Sequence, residues 1–161
     1  MPSLYRALAH SPALLREFIS MTSTLRRETE LDPKLRELAI LGVAQTTGAA
    51  TQWLAHLPLA RAAGLTEEQI DGLAVWERHP AFSREERAVL RFAESVTRDV
   101  GASQEAWDGV RAFVGERECV ELTLTVGFYN MVSRFLETVD LDIDPEYALT
   151  PQPPPNLPQG V

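Results

Sequence analysis

The chain has 161 residues, 45% hydrophobic and 24% charged, enough for one domain with a buried core and ordinary for a globular protein. A formal charge of −8 argues against a nucleic-acid surface, which needs a basic patch, and against docking on anionic lipid. One cysteine, Cys119, excludes an intrachain disulfide and a thiolate metal cage. No apolar run approaches the ~20 residues of a membrane span, and the start, MPSLYRALAH, lacks the basic-then-apolar pattern of a secretory leader; a cytoplasmic setting is the expectation.

Residues 1–10 read as a loose lead-in. Ser11-Pro12 looks like an N-cap followed by proline at the first helical position. Leu14, Leu15, Phe18 and Ile19 continue as a helical stripe. The stripe is interrupted at polar Thr22 and resumes at Leu25, and Arg26-Arg27-Glu28 reads as a solvated end. Asp32-Pro33 starts a second helix by the same logic. Its segment Leu38 to Ala44 is apolar on every side, so it should be buried on every side. Glu37 shares a face with Ile40, Leu41 and Ala44, which places its carboxyl group at the margin of a dry interior.

Gln45 to Gly48 breaks this helix. A third begins near Ala49 or Ala50 and runs to Gly64, a C-cap. Trp53, Leu57 and Ala60 form one face; Gln52, His56, Leu59 and Ala63 form the adjacent one. Pro58 predicts a kink just after His56, because it has no N–H for the Leu54 carbonyl. The short break makes the second and third helices antiparallel neighbours and brings His56 back towards the body of the second.

Thr66 to Gln69 is a capping box opening a short helix, and Ser83 to Glu86 is a second one. Between them, Trp76 to Phe82 reads as a loop. The helix after Ser83 turns Val89, Leu90, Phe92, Ala93 and Val96 inward and ends at Gly101. Ser103 caps another, with Trp107, Val110, Phe113 and Val114 on one face. The last helix is predicted over 116–138. Its Leu122 to Phe128 stretch alternates like a strand, but no turn signal interrupts it and the apolar pattern continues through Phe135. Residues 146–161 form a proline-rich tail, with five prolines in 151–161, expected to be extended or disordered, to lie on a neighbouring subunit, or to serve as a P-x-x-P ligand. The whole reads as a single all-α domain over 11–145, with six to seven helices and no internal repeat.

Glu37 and His56 are the pair in this sequence best suited to chemistry. A buried carboxyl beside an imidazole titrates as a unit and suits general acid–base work. The same pair could instead lock two helices together. His10 and His79 have no ligand-like spacing with His56, so no metal site is expected. No G-x-G-x-x-G is present, and no cofactor is expected. Cys119 reads as a small buried hydrophobe.

Arg36-Glu37-Leu38-Ala39-Ile40-Leu41, then Trp53-Leu54-Ala55-His56, Ala60 and Gly64-Leu65-Thr66, resemble the carboxymuconolactone decarboxylase family, which also contains the alkyl hydroperoxidase D proteins. Ser11 to Leu15, Phe82 to Leu90 and Phe128 to Phe135 extend the resemblance over about residues 10–145. It implies an all-α fold that assembles as trimers or hexamers and acts on a small carboxylate or lactone. The peroxidase branch carries a C-x-x-C pair, which falls here on Ala49 and Gln52; its glutamate falls on Glu37, its distal histidine on His56, and a further histidine on Thr51. Without the two thiols, thiol peroxidase chemistry is excluded. The decarboxylase-like branch commonly shows tyrosine-glutamate-tryptophan where this chain has Thr51-Gln52-Trp53. An amide thus replaces an acid, and Gln52 can hold a carbonyl or carboxylate but cannot shuttle a proton. The resemblance therefore implies Glu37 and His56 as catalytic residues of a decarboxylase-like protein. Gln52, Thr51, Trp53 and Arg134 are the candidate substrate contacts. The alternative is a non-catalytic helical oligomer that binds a small ligand or a partner.

Overall fold

A computed structural model describes residues 2–145. Among them are eight α-helices: α1 Ser3–Leu8, α2 Pro12–Arg27, α3 Pro33–Thr47, α4 Ala50–Ala62, α5 Glu67–Gly72, α6 Arg84–Arg98, α7 Gln104–Arg111 and α8 Glu116–Thr138. A 3-10 turn, Leu73–Val75, extends α5. No strand occurs among the described residues. The tail expected over 146–161 lies outside them.

Helix α3 is the axis of the molecule. It packs against α4, α6 and α8, and every residue from Arg36 to Ala44 is buried. Its all-round apolarity has a physical reason, because two hydrophobic clusters use different sides of it. Ile40 and Val43 join Phe92, Leu122, Val126 and Tyr129 towards α6 and α8. Leu38 and Leu41 join Trp53, Leu57, Leu65, Ile70 and Trp76 towards α4 and α5. Gly42 lets α6 come close: a Cβ there would stand 3.2 Å from Leu90 Cδ2 and 3.5 Å from Ala93 Cβ.

The helix ends follow from local chemistry. Asp32 Oδ1 accepts from the backbone N–H of Lys34 at 2.8 Å and of Leu35 at 3.1 Å, with Pro33 at the first helical position. At the other end Gly48 adopts φ 73°, in the left-handed region that glycine occupies without a Cβ penalty. The reversal there turns the chain into α4. Both capping boxes form, Thr66 with Gln69 and Ser83 with Glu86. The threonines in the strand-like stretch of α8 are accommodated by returning their hydroxyls to the preceding turn. Thr123 Oγ1 donates to the Cys119 carbonyl and Thr125 Oγ1 to the Glu121 carbonyl, both at 2.7 Å.

Two expectations are corrected. The lead-in is not loose: it forms α1, which makes the helices eight instead of six to seven. The Ser3 N–H contacts both oxygens of Asp144, at 3.0 and 2.9 Å, and its hydroxyl donates to Oδ1 at 2.5 Å. That partner lies 141 residues away, where no local pattern could reveal it. Helix α4 runs through Pro58 to Ala62, as a helix expected to reach Gly64 should; Pro58, lacking an N–H, forgoes one backbone bond. Helix α6 ends at Arg98, before Gly101, with Asp99 extended at its C-cap.

Candidate active site

Glu37 stands on the first turns of α3 and His56 near the middle of α4. The turn at Gly48 brings them together, and His56 Nδ1 lies 2.8 Å from Glu37 Oε2. Both are removed from solvent, at 2% and 5% exposure. Arg36 Nε reaches the other carboxylate oxygen at 3.4 Å, while its Nη1 donates to the Arg26 carbonyl at 3.4 Å. The His56 ring meets Tyr129 edge-on, with centroids 4.8 Å apart and planes at 88°.

Electrostatics decide the charge state of this group. Burial is the largest influence on Glu37 and pushes its carboxyl up. The hydrogen bond from His56, with the positive charges of His56, Arg36 and Arg26, outweighs burial and holds the group below its ordinary value of 4.5. Glu37 is therefore a carboxylate at neutral pH. A carboxylate only accepts, so the proton between the two residues resides on Nδ1 of His56. Nε2 is then the nitrogen left for a ligand, with its lone pair available when the ring is neutral.

His56 lines a cavity of about 360 Å³ formed between α1, α2, α4 and α8 and open on one side. Leu4, Phe18, Leu59, Phe128, Val132 and Leu136 give it apolar walls. Thr22, Arg26, Thr51, Gln52 and Tyr129 add polar groups. The volume lies at the small end of the ~300–1,000 Å³ usual for ligand sites.

The expected substrate contacts divide. Thr51 lines the cavity. Gln52 reaches it too, but its amide is fastened internally. Its Oε1 accepts from Ser133 Oγ at 2.9 Å, and its Nε2 donates to the Ile40 carbonyl at 3.4 Å. A glutamate here would set a carboxylate oxygen against that carbonyl, so this packing favours an amide. Trp53 is packed in the core between α3 and α4 and does not line the cavity. Arg134 also lies elsewhere. Its Nη1 donates to the Asn130 carbonyl at 3.0 Å and to Asn130 Oδ1 at 2.5 Å, beside a separate polar cleft shared with Thr46, Thr97 and Glu137. Helix pitch directs Arg134 away from Tyr129 and Val132, the α8 residues that face the cavity.

Arg26 is the cavity residue that sequence reasoning missed. It is exposed, as expected of a helix end, yet it also forms part of the cavity wall, and its guanidinium interacts with the Tyr129 side chain. Burial works against its charge, but Tyr129, Glu37 and Tyr5 together raise its pKa further. A signal was present: Phe18, Thr22 and Arg26 recur every four residues and all line the cavity. The polar interruption at Thr22 marks the face of α2 turned towards the cavity. Cys119 is buried, and burial pushes its thiol up. Among the described residues no group of three or more His, Cys, Asp or Glu is placed to hold a metal ion, and no helix is long and apolar enough to cross a membrane.

The sequence profile of the carboxymuconolactone decarboxylase family matches residues 12–95, and the chain belongs to that family. The uncharacterized protein YdfG of Bacillus subtilis (strain 168) is 29% identical over 110 residues, covering 67% of this chain and 75% of the relative. Among solved structures, the debrominase Bmp8 in complex with 2,3,4-tribromopyrrole is similar with a TM-score of 0.82 at 14% identity, over 92% of this chain and 80% of that one. A protein of unknown function from Agrobacterium tumefaciens, described as an AhpD antioxidant-defence candidate, gives a TM-score of 0.78 at 23% identity, over 84% and 94% of the two chains. An uncharacterized peroxidase-related protein from Silicibacter sp. TM1040 gives 0.78 at 21% identity, over 89% and 76%. At these identities the structural likeness speaks to the AhpD-like fold alone.

Proposed function

We propose that the protein is a cofactor-independent enzyme that moves a proton to or from carbon in a small carboxylic acid or lactone, by decarboxylation or isomerisation. The observation that carries this reading is the buried 2.8 Å contact between His56 and Glu37 at the wall of a ligand-sized cavity. In decarboxylation the bond to CO2 breaks and its electron pair enters the unsaturated lactone as a dienolate. Imidazolium Nε2–H of His56 then protonates carbon, and Glu37 remains a carboxylate that fixes the tautomer and offsets the ring's charge. In isomerisation neutral Nε2 takes a proton from one carbon and returns it to another. The C-x-x-C positions hold Ala49 and Gln52, which favours these reactions over thiol peroxidase chemistry.

The test is spectrophotometric turnover of 4-carboxymuconolactone by the wild type, His56→Ala and Glu37→Gln. A positioned acid–base group contributes typically ~10²–10⁴-fold, so both variants should lose at least ~100-fold in kcat. Turnover that survives both changes would sink the pair. A second reading, ligand binding without turnover, is favoured by the internal fastening of Gln52; absence of turnover with retained ligand binding would select it.

The same reading includes a homo-oligomer, trimer or hexamer. It is supported by a stripe on α8, where Val120, Leu124 and Met131 are 59%, 51% and 48% exposed. Light scattering on the eluting protein reads the mass directly.

A further inference from the structure

The charges around the cavity do not balance. Glu37 has His56 at 2.8 Å and Arg36 at 3.4 Å. Asp144 is engaged by the Ser3 N–H and hydroxyl, with Arg6 at 4.0 Å. Arg36, in turn, is committed to Glu37 and to the Arg26 carbonyl. Among the described residues Arg26 alone of these cations forms no ion pair within 4 Å. It lines a cavity whose other walls are mostly apolar and is itself exposed, so its guanidinium is open to an anion that enters there.

From this juxtaposition we propose that Arg26 is the specificity-determining anchor for a carboxylate that the substrate keeps throughout the reaction. The inference rests on the cavity being the working site, as proposed above. A guanidinium presents a planar fork of donors that suits a carboxylate. The carboxylate it holds is not the one that leaves. Ion pairing stabilises a departing carboxylate more in the ground state than in the transition state, where its charge is passing into the rest of the molecule, and so slows the reaction. The bound acid therefore places its retained carboxylate on Arg26 and its reacting carbon towards His56. Its body lies against Phe18 and Phe128, whose rings are 5.0 Å apart. Two substrate classes satisfy this: a diacid that loses one carboxyl group, and a monoacid that is isomerised. Both carry a flat, unsaturated or aromatic body.

The probes are phenylacetate and its neutral isostere phenylacetamide, titrated calorimetrically into the full chain and into Arg26→Gln, Arg26→Lys and His56→Gln. The wild type should prefer the acid by at least about tenfold, the worth of one charge-assisted hydrogen bond. Arg26→Gln should bring the acid to the level of the amide without weakening the amide, and Arg26→Lys should give an intermediate preference. His56→Gln should keep the preference. An equal affinity for the two probes in the wild type overturns the proposal. So does a preference that survives Arg26→Gln, or failure of both probes to bind. Melting curves identify a variant that has not folded, and Arg26→Lys then carries the comparison. Turnover that survives His56→Ala would defeat the acid–base reading while leaving the acid preference intact, so the two failures are separable.

Discussion

Glu37 is ionised in a place where burial works against the charged form. Its stability there depends on His56 and Arg36, and theirs depends on it. Glu37→Leu removes the acceptor from a buried imidazole and a buried guanidinium at once. An orphaned buried polar group costs about 1–3 kcal/mol, more when charged. The variant should melt several degrees below the wild type in a calorimetric scan, whereas Glu37→Gln, which keeps an acceptor, should lose less. An equal loss in both variants would show that shape, not hydrogen bonding, holds the pair. Much of this was legible: three-, four- and seven-residue spacing put Glu37 at the edge of the core, and the short break put His56 near it. The distance was not, because it depends on how closely α3 and α4 pack. Arg26 and Tyr129 were harder to place. Each belongs to a face that only a third helix turns into a cavity wall.

Two caps that are separate in the sequence become one joint in the fold. Gln69 closes the box at the start of α5, and its Nε2 also donates to Glu86 Oε2 at 2.9 Å. Glu86 closes the box of α6, accepting from the Ser83 N–H at 2.8 Å. Its other oxygen pairs with Lys34 Nζ of α3 at 2.6 Å. Glu86 thus ties α3, α5 and α6, while Ser83 caps one helix. Ser83→Ala should cost about 1 kcal/mol, and Glu86→Ala about 2–3 kcal/mol, since it strips several donors of their acceptor. Chemical denaturation of the two variants compares them; equal losses would reduce the joint to an ordinary cap. The boxes themselves were readable from four consecutive residues each. Their union was not, because nothing local relates Gln69 to Glu86. Helix α1 was missed for a similar reason: six residues make a marginal helix alone, and Asp144 supplies what they lack.

At the scale of the molecule, several carboxylates share one behaviour. Burial pushes Glu37, Glu86 and Asp144 up, yet their hydrogen bonds and cationic neighbours hold each below its ordinary value, 4.5 for the glutamates and 3.8 for the aspartate. A depressed folded-state value means that the unfolded chain binds protons more readily, so acid favours unfolding. These groups contribute fully above their ordinary values and lose that contribution as pH falls through their folded values. Glu137 works in the opposite sense, since burial and Asp140 raise it. The melting temperature should change little between pH 7 and about 5.5 and drop steeply below about 4.5. A melting temperature that holds below that range would mean these carboxylates do not govern stability.

The clasp between Ser3 and Asp144 closes the path of residues 3–144 almost into a ring, and the clasp sits at the ligand cavity, since Pro2 and Asp144 both line it. An affinity tag joined ahead of Pro2, or a fusion partner placed after Pro145, would depart from beside the opening. Its bulk and charge would enter any measured affinity, so the placement of the tag is itself a biochemical variable for this protein. The same proximity makes the fold a natural host for rearranged connectivity: a short linker could bridge the clasp while new ends are cut in the bend at 99–102, between α6 and α7.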